Sequence, residues 1–323
     1  MLDQNTPALV LAPMDGITDA PMRALQGATG AFTYAVSEFI RVSHEVLPIK
    51  VFRRHVPELD HEGLTPTHLP VQVQILGGDP ARMAKSAHRA WQAGAKAIDI
   101  NFGCPAPTVN RNDGGASLLK FPCRIRAIVA AVRESLPDEV PVSAKLRLGW
   151  DCVESIHENT EMAAEGGASW ITIHARTRLQ GYAPPVYWKP VGKVRAALNL
   201  PIVANGDIWT LDDFRRCQDQ TGCIHFMIGR SALANPELSA QIAQELGIAR
   251  KHSPVQTNWI PLFQALIGYT SYYQDRVPDY TVKRLKQWLS IARNHGNFQH
   301  FDQIKKAETV EEFFNLFPTQ AGF

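Results

Sequence analysis

Along most of the chain, short runs of apolar and β-branched residues alternate with longer stretches whose apolar positions recur every three or four residues. The short runs predict strands at Ala8–Ala12, Thr33–Ser37, Val71–Ile75, Ala97–Asn101, Val142–Arg147, Trp170–His174, Pro201–Ala204 and Ile224–Ile228. The stretches between them carry helix signals. Asp79-Pro80 reads as an N-cap followed by proline at the first helical position, and Gly94 follows the last apolar turn. Thr210-Leu211-Asp212-Asp213 and Asn235-Pro236-Glu237 open two later helices. Eight strand–helix units within residues 1–247 predict an α/β fold, a (β/α)8 TIM barrel, with residues 248–323 as a second, smaller domain. An open doubly wound sheet would carry a Gly-x-Gly-x-x-Gly turn after its first strand, where this chain has Pro13-Met14-Asp15-Gly16.

Composition narrows the class without naming a function. The chain has 323 residues, 45% hydrophobic and 20% charged, which excludes disordered, collagenous and coiled-coil chains. Five cysteines without paired spacing argue against a disulfide framework or a zinc module, and no metal is expected. Met1–Asn5 lacks a basic and an apolar leader region, and no long apolar run predicts a membrane span. A cytoplasmic monomer is expected.

Charge changes the picture once the chain is divided. Residues 248–323 carry nine Lys+Arg and six Asp+Glu, leaving 24 against 25 in residues 1–247. Seven basic residues fall within residues 276–306: Arg276, Lys283, Arg284, Lys286, Arg293, Lys305 and Lys306. A solvated helix face is the plain explanation on charge alone.

Barrel chemistry sits at the C-terminal ends of the strands. In this chain those ends read Pro13-Met14, Glu38, Gln74, Asn101 with Cys104, Lys145 with Arg147, His174 with Arg176, Asn205 with Asp207, and Gly229-Arg230. One polar residue there could merely cap the next helix, but a ring of them converging on one mouth is not packing. Barrels often bind phosphate after strands seven and eight, where Asn205-Gly206-Asp207 and Gly229-Arg230-Ser231 stand. Gln74 offers an amide to the edge of a flat heterocycle and Lys145 a cation. Phosphate, ring and cation together point to flavin mononucleotide, FMN. Cys104 opens a loop, Ala106 to Gly115, whose composition predicts a mobile lid, and is a candidate acid or nucleophile. Cys123, Cys152, Cys217 and Cys223 fall in helical or connector patterns and carry no such expectation.

Taken in order, seven segments resemble the tRNA-dihydrouridine synthases, flavoenzymes that reduce uridine in tRNA. They are Ala12-Pro13-Met14, Val71–Gln74, Asn101–Pro105, Lys145–Gly149, His174–Thr177, Ala204–Asp207 and Met227–Arg230, and they span the barrel. Glu38–Val42, Gly149–Asp151, Gln180–Tyr182 and Arg284–Ser290 resemble the branch that modifies position 16. Asp15 and Ala175 depart from it, where Glu and Gly are its usual residues. The resemblance implies that Cys104 is the general acid. It implies that Pro13, Met14, Gln74, Lys145, His174, Asn205, Asp207, Gly229 and Arg230 hold FMN, and that NADPH re-reduces it. It places Asn101, Arg147, Arg176 and Tyr182 against the target uridine, and makes the second domain a helical tRNA-binding unit.

A tRNA partner gives the basic segment a use. Within Lys283–Asn294, Leu285, Trp288, Leu289 and Ala292 share one helical stripe, while Lys283, Lys286, Ser290 and Arg293 share its neighbour. One stripe can pack while the other, with Arg284, meets phosphates; Arg41 and the Lys50, Arg53, Arg54 cluster extend that surface. Two alternatives stay open. An FMN-dependent dehydrogenase acting on a free pyrimidine, of dihydroorotate or dihydropyrimidine type, would share the flavin and the cysteine. A non-catalytic RNA-binding protein would share the barrel alone.

Overall fold

The computed structural model describes residues 2–248, 257–273, 278–296 and 298–317. Nine parallel strands form one closed sheet. They are β1 (Ala8–Leu11), β2 (Tyr34–Val36), β3 (Ile40–Arg41), β4 (Val71–Leu76), β5 (Ile98–Asn101), β6 (Val142–Arg147), β7 (Trp170–His174), β8 (Ile202–Asn205) and β9 (His225–Ile228). β1 closes the barrel by pairing with β9, Leu11 opposite Ile228. The predicted second strand is β2; a short unpredicted strand, β3, follows after a break, and both pair with β4. The break has a local cause. Ser37 Oγ accepts the Gln74 amide at 3.0 Å, Glu38 Oε1 accepts the Ile17 amide at 3.1 Å, and Phe39 turns to the barrel mouth. Eight staves therefore remain, and the expected TIM barrel is the fold observed.

The connecting helices are α1 (Ala20–Gly27), α2 (Ile49–His55), α3 (Pro80–Gln92), α4 (Pro107–Asn110), α5 (Pro122–Glu134), α6 (Ile156–Glu165), α7 (Trp188–Ala197), α8 (Leu211–Thr221), α9 (Arg230–Ala234) and α10 (Pro236–Glu245). The predicted caps form. Asp79 accepts the Arg82 amide, Thr210 and Asp213 make a capping box, and Asn235 accepts the Glu237 amide. Beyond them lie α11 (Trp259–Tyr273), α12 (Pro278–His295), α13 (Phe301–Ile304) and α14 (Val310–Leu316).

These last helices bury their apolar faces against the barrel. Leu285, Trp288, Leu289 and Ala292 are buried, as their stripe predicted, in one continuous core with the outer faces of the strands. Trp288 Nε1 donates to the Leu233 carbonyl of α9 at 2.8 Å. Phe263 of α11 packs edge-on against Trp288 and Phe313, with ring centroids 5.6 and 5.2 Å away. Such pairs add roughly 0.5–1.5 kcal/mol each beyond the burial of their area.

Arg284 corrects the picture of a basic face. It is 7% exposed and turns inward. Its guanidinium donates to the Gly16 and Ile17 carbonyls and pairs with Asp19 at 2.8 Å. Tyr280 Oη donates to the other Asp19 oxygen at 2.9 Å. Arg284 thus joins α12 to the loop between β1 and α1 instead of facing RNA.

Candidate active site

A cavity of about 340 Å³ opens at the C-terminal mouth of the barrel, within the size range of small-molecule sites. Its wall includes Pro13, Met14, Asn101, Cys104, Lys145 and Arg147. His174, Asn205, Asp207, Gly229 and Arg230 of the strand-end ring also line it, as does Tyr182, whereas Glu38 is not in the lining. Gln74 and Arg176 stand behind this wall. Gln74 is fully buried between Asp99 and Asn101, and Arg176 is fully buried against Asp207. Arg41 is half-buried on β3, away from the cavity lining.

Cations dominate the mouth. Lys145 Nζ donates to Asn205 Oδ1 at 3.3 Å, and Asn205 Nδ2 donates to the Met227 carbonyl at 2.8 Å. Arg147 Nη1 donates to the Thr177 and Gly181 carbonyls at 3.1 and 2.7 Å, and its Nε to the Gly103 carbonyl at 2.8 Å. These bonds tie two loops, those after β5 and β7, to one side chain. Tyr182, 56% exposed, roofs the opening with Arg147 5.2 Å and Arg230 4.7 Å from its ring centre. Arg176 grips Asp207 with both terminal nitrogens, one at 2.9 Å, and its Nε holds the Ala183 carbonyl at 2.7 Å. Asp207 takes a left-handed backbone (φ +50°) directly after Gly206 (φ +116°), so the turn folds back into the ion pair.

The electrostatics follow from burial among like charges. Burial, with Arg147 beside it, lowers the Lys145 pKa to about 8, against the pull of Asp99 and Cys104. Burial and four neighbouring cations, Arg147, Lys145, Arg176 and Arg230, hold His174 well below its ordinary value, so its imidazole is neutral. Burial raises the Cys104 thiol, helped by Asp15 and opposed by the Ala106 amide, Arg147 and Lys145. Cys104 therefore keeps its proton at neutral pH.

The Cys104 turn is held from below. Asn101 Oδ1 accepts the amides of both Gly103 and Cys104 at 2.9 Å. The loop beyond is more built than its composition predicted. α4 contributes a helical turn with Val109 buried, and Asn110 Oδ1 accepts the Ser117 amide at 2.9 Å.

The wall residues not anticipated as site residues include Asp15, Phe39 and Trp209. Trp209 follows Asp207 by two positions, so its strand-end location was the available signal. Its ring stacks on His295 in the last turn of α12.

The residues fit an anionic, ring-bearing group such as FMN. Lys145, Arg147 and Arg230 line the cavity, and His174 Nδ1 is buried without a partner. Gly229 leaves backbone exposed where a Cβ would press on Met14 Sδ at 3.0 Å and Ala12 Cβ at 3.1 Å. Among the described residues no cluster of three or more His, Cys, Asp or Glu could hold a metal. No helix among them is long and apolar enough to cross a membrane.

Outside the cavity, Lys283 and Arg293 are exposed on α12, whereas Lys286 is half-buried with its Nζ on the Ala307 carbonyl at 2.8 Å. Arg293 pairs with Asp302 at 3.0 Å. Lys50, Arg53 and Arg54 are exposed on α2. Arg276 lies outside the described residues.

Barrel and mouth define an enzyme of the (β/α)8 class whose strand ends set Lys145, Arg147 and Arg230 beside Cys104. Within that class, the chain belongs to the dihydrouridine synthase family, whose model matches residues 10–320. It is 42% identical over 311 residues to the tRNA-dihydrouridine(16) synthase of Shewanella oneidensis, covering 95% of this chain and 96% of that one. It is 41% identical over 316 residues to the protein of that name from Aquipseudomonas alcaligenes, covering 96% and 99%. The protein of that name from Haemophilus influenzae is 39% identical over 308 residues, covering 94% and 97%. Among solved structures, histamine dehydrogenase from Rhizobium sp. 4-9 superposes with a TM-score of 0.55 at 13% identity, covering 74% of this chain and 46% of that one, a likeness of fold.

Proposed function

We propose that this protein reduces the C5=C6 bond of a uridine in the D-loop of tRNA, at position 16, with FMN in the cavity and NADPH as reductant. The observation that carries the reading is a half-buried Cys104, its thiol pKa raised, on the rim of a cation-lined cavity in a chain of this family. Lys145, His174, Asn205, Gly229 and Arg230, with Pro13 and Met14, would hold the flavin. Asp207 is part of that wall, and Gln74 supports it from behind. When bound, reduced flavin supplies hydride equivalents to C6 of the base.

The side chains do the rest. Cys104 holds a proton that its raised pKa keeps on sulfur, and delivers it to C5. Arg147 and Tyr182 border the space beside Cys104 and orient the base, and Asn101 fixes the thiol's turn. Arg176 acts through Asp207 and the Ala183 carbonyl, shaping the wall. A uridine in folded RNA must leave its stack to reach this cavity. Residues 248–323 act as the helical unit that grips tRNA, with exposed Lys283 and Arg293 beside half-buried Lys286, and with α2 as a second basic strip. The protein works as a cytoplasmic monomer.

The test is position-resolved mapping of dihydrouridine in tRNA from cells with and without the gene, paired with the purified protein, FMN, NADPH and unmodified tRNA. Loss at position 16 alone, restored in vitro, is the expected result. Unchanged dihydrouridine throughout, or turnover of free uracil or orotate without RNA, overturns it.

A further inference from the structure

Beneath the cavity runs a chain of hydrogen bonds whose far end takes no part in the chemistry above. Asp99 on β5 is buried, 2% exposed. Its Oδ1 accepts from Ser143 Oγ, and its Oδ2 accepts from Gln74 Nε2 at 2.7 Å. Gln74 Oε1 accepts from Asn101 Nδ2 at 2.9 Å. Asn101 Oδ1 accepts the Gly103 and Cys104 amides. Gln74 and Asp99 are direct partners across β4 and β5, and Asn101 is two residues beyond Asp99 on the same face.

Such a chain has a direction. A primary amide donates at one end and accepts at the other, whereas an ionised carboxylate only accepts. A carboxylate at position 99 therefore fixes Gln74 with its NH2 inward and its carbonyl outward. That carbonyl fixes Asn101 with its NH2 toward Gln74, which leaves Oδ1 for the two backbone N–H groups. The opposite orientation would set donor against donor at Gly103 and Cys104.

We propose that Asp99 is a positioning residue for Cys104: its carboxylate sets the polarity of the Gln74–Asn101 amide chain, and that chain holds the Cys104 turn against the cavity. The inference rests on Cys104 as the acid. A further contact and the burial of the group support it. Ser143 Oγ, which donates to Asp99, itself accepts from Gln72 Nε2 at 2.9 Å, so the carboxylate is held on both oxygens. Burial pushes the Asp99 pKa up to about 6, against Ser143, Gln74 and Lys145, and the group stays ionised at neutral pH.

The test reads Cys104 directly, by its rate of alkylation with iodoacetamide at pH 8, resolved by peptide mass spectrometry in the flavin-loaded, full-length protein. In Asp99→Asn the new amide can present either end to Gln74, so the polarity is no longer imposed. The freed turn lets the thiol relax toward its ordinary pKa, and the larger thiolate fraction, partly offset by lower nucleophilicity, gives about threefold faster alkylation. Asn101→Ala gives the same increase, and Asp99→Asn combined with Asn101→Ala gives no more. Asp99→Asn with Gln74→Glu restores an acceptor facing Asn101 and returns the rate to that of the unaltered protein.

A wild-type rate in Asp99→Asn, or effects of the two single changes that multiply, overturns the proposal. Buried Cys217 reports folding by staying unreactive. Should Asp99→Asn expose Cys217, the pair with Gln74→Glu decides: a wild-type rate supports the chain, and the Asn101→Ala rate overturns it. The enzymatic reading fails separately, if Cys104→Ala still makes dihydrouridine.

Discussion

Trp209 and His295 stack with ring centroids 4.7 Å apart and planes 18° from parallel. One ring lines the cavity and the other ends α12, so the helix proposed to meet tRNA touches the wall proposed to hold flavin. Arg230 lies 5.3 Å from the same Trp209 ring. His295→Ala is expected to keep the fold and weaken flavin binding. Aromatic pairs add roughly 0.5–1.5 kcal/mol, a 2- to 10-fold rise in Kd, read by fluorescence titration of the apoprotein.

Cys104→Ala is expected to bind flavin as the unaltered protein does, because the cations around the cavity are untouched. Turnover should fall by about 10²–10⁴-fold, the range for loss of a general acid. Single-turnover formation of dihydrouridine measures it. Full activity would assign the proton to another group.

His174 links pH to stability. Its folded pKa is held below the unfolded value of 6.5. As the pH falls through that value, the unfolded chain takes up a proton that the folded chain refuses. Stability is therefore greatest above it and declines on acidification. Melting temperatures of the protein and of His174→Asn between pH 7.5 and 5 should show the shallower decline in the variant. Equal slopes would count against a neutral buried imidazole.

Arg284 and Lys283 are neighbours with opposite tasks. Removing a buried partner of an ion pair costs about 3–5 kcal/mol, so Arg284→Ala should lower the melting temperature sharply. Exposed Lys283 should cost within about 0.5 kcal/mol, while reducing tRNA affinity and flattening its salt dependence. Thermal melts and binding at several salt concentrations separate the two.

Much of this molecule was legible in its sequence because periodicity and strand-end chemistry are local. The eight staves, the Asp79, Thr210 and Asn235 caps and the polar ring at the mouth all follow from neighbours within a few residues. The break between β2 and β3 was not, since it depends on Ser37 Oγ taking a ladder position on Gln74. Arg284 was half legible. It precedes Trp288 by four residues and so shares its buried stripe, but its partner Asp19 belongs to the first turn of the barrel. The setting of Gln74 was hidden for a similar reason. Its type suits a ring edge, yet Asp99 and Asn101 engage both ends of its amide.

The Arg284 anchorage has a consequence for redesign. Positional choice among tRNA uridines would look exchangeable by transplanting the helical end of one relative onto the barrel of another. Here the Gly16 and Ile17 carbonyls, Asp19 and the Leu233 carbonyl are the sockets into which α12 plugs. A chimera joined anywhere after α10 would leave those sockets with a foreign plug. A working graft has to carry the first loop and α9 along with the helices.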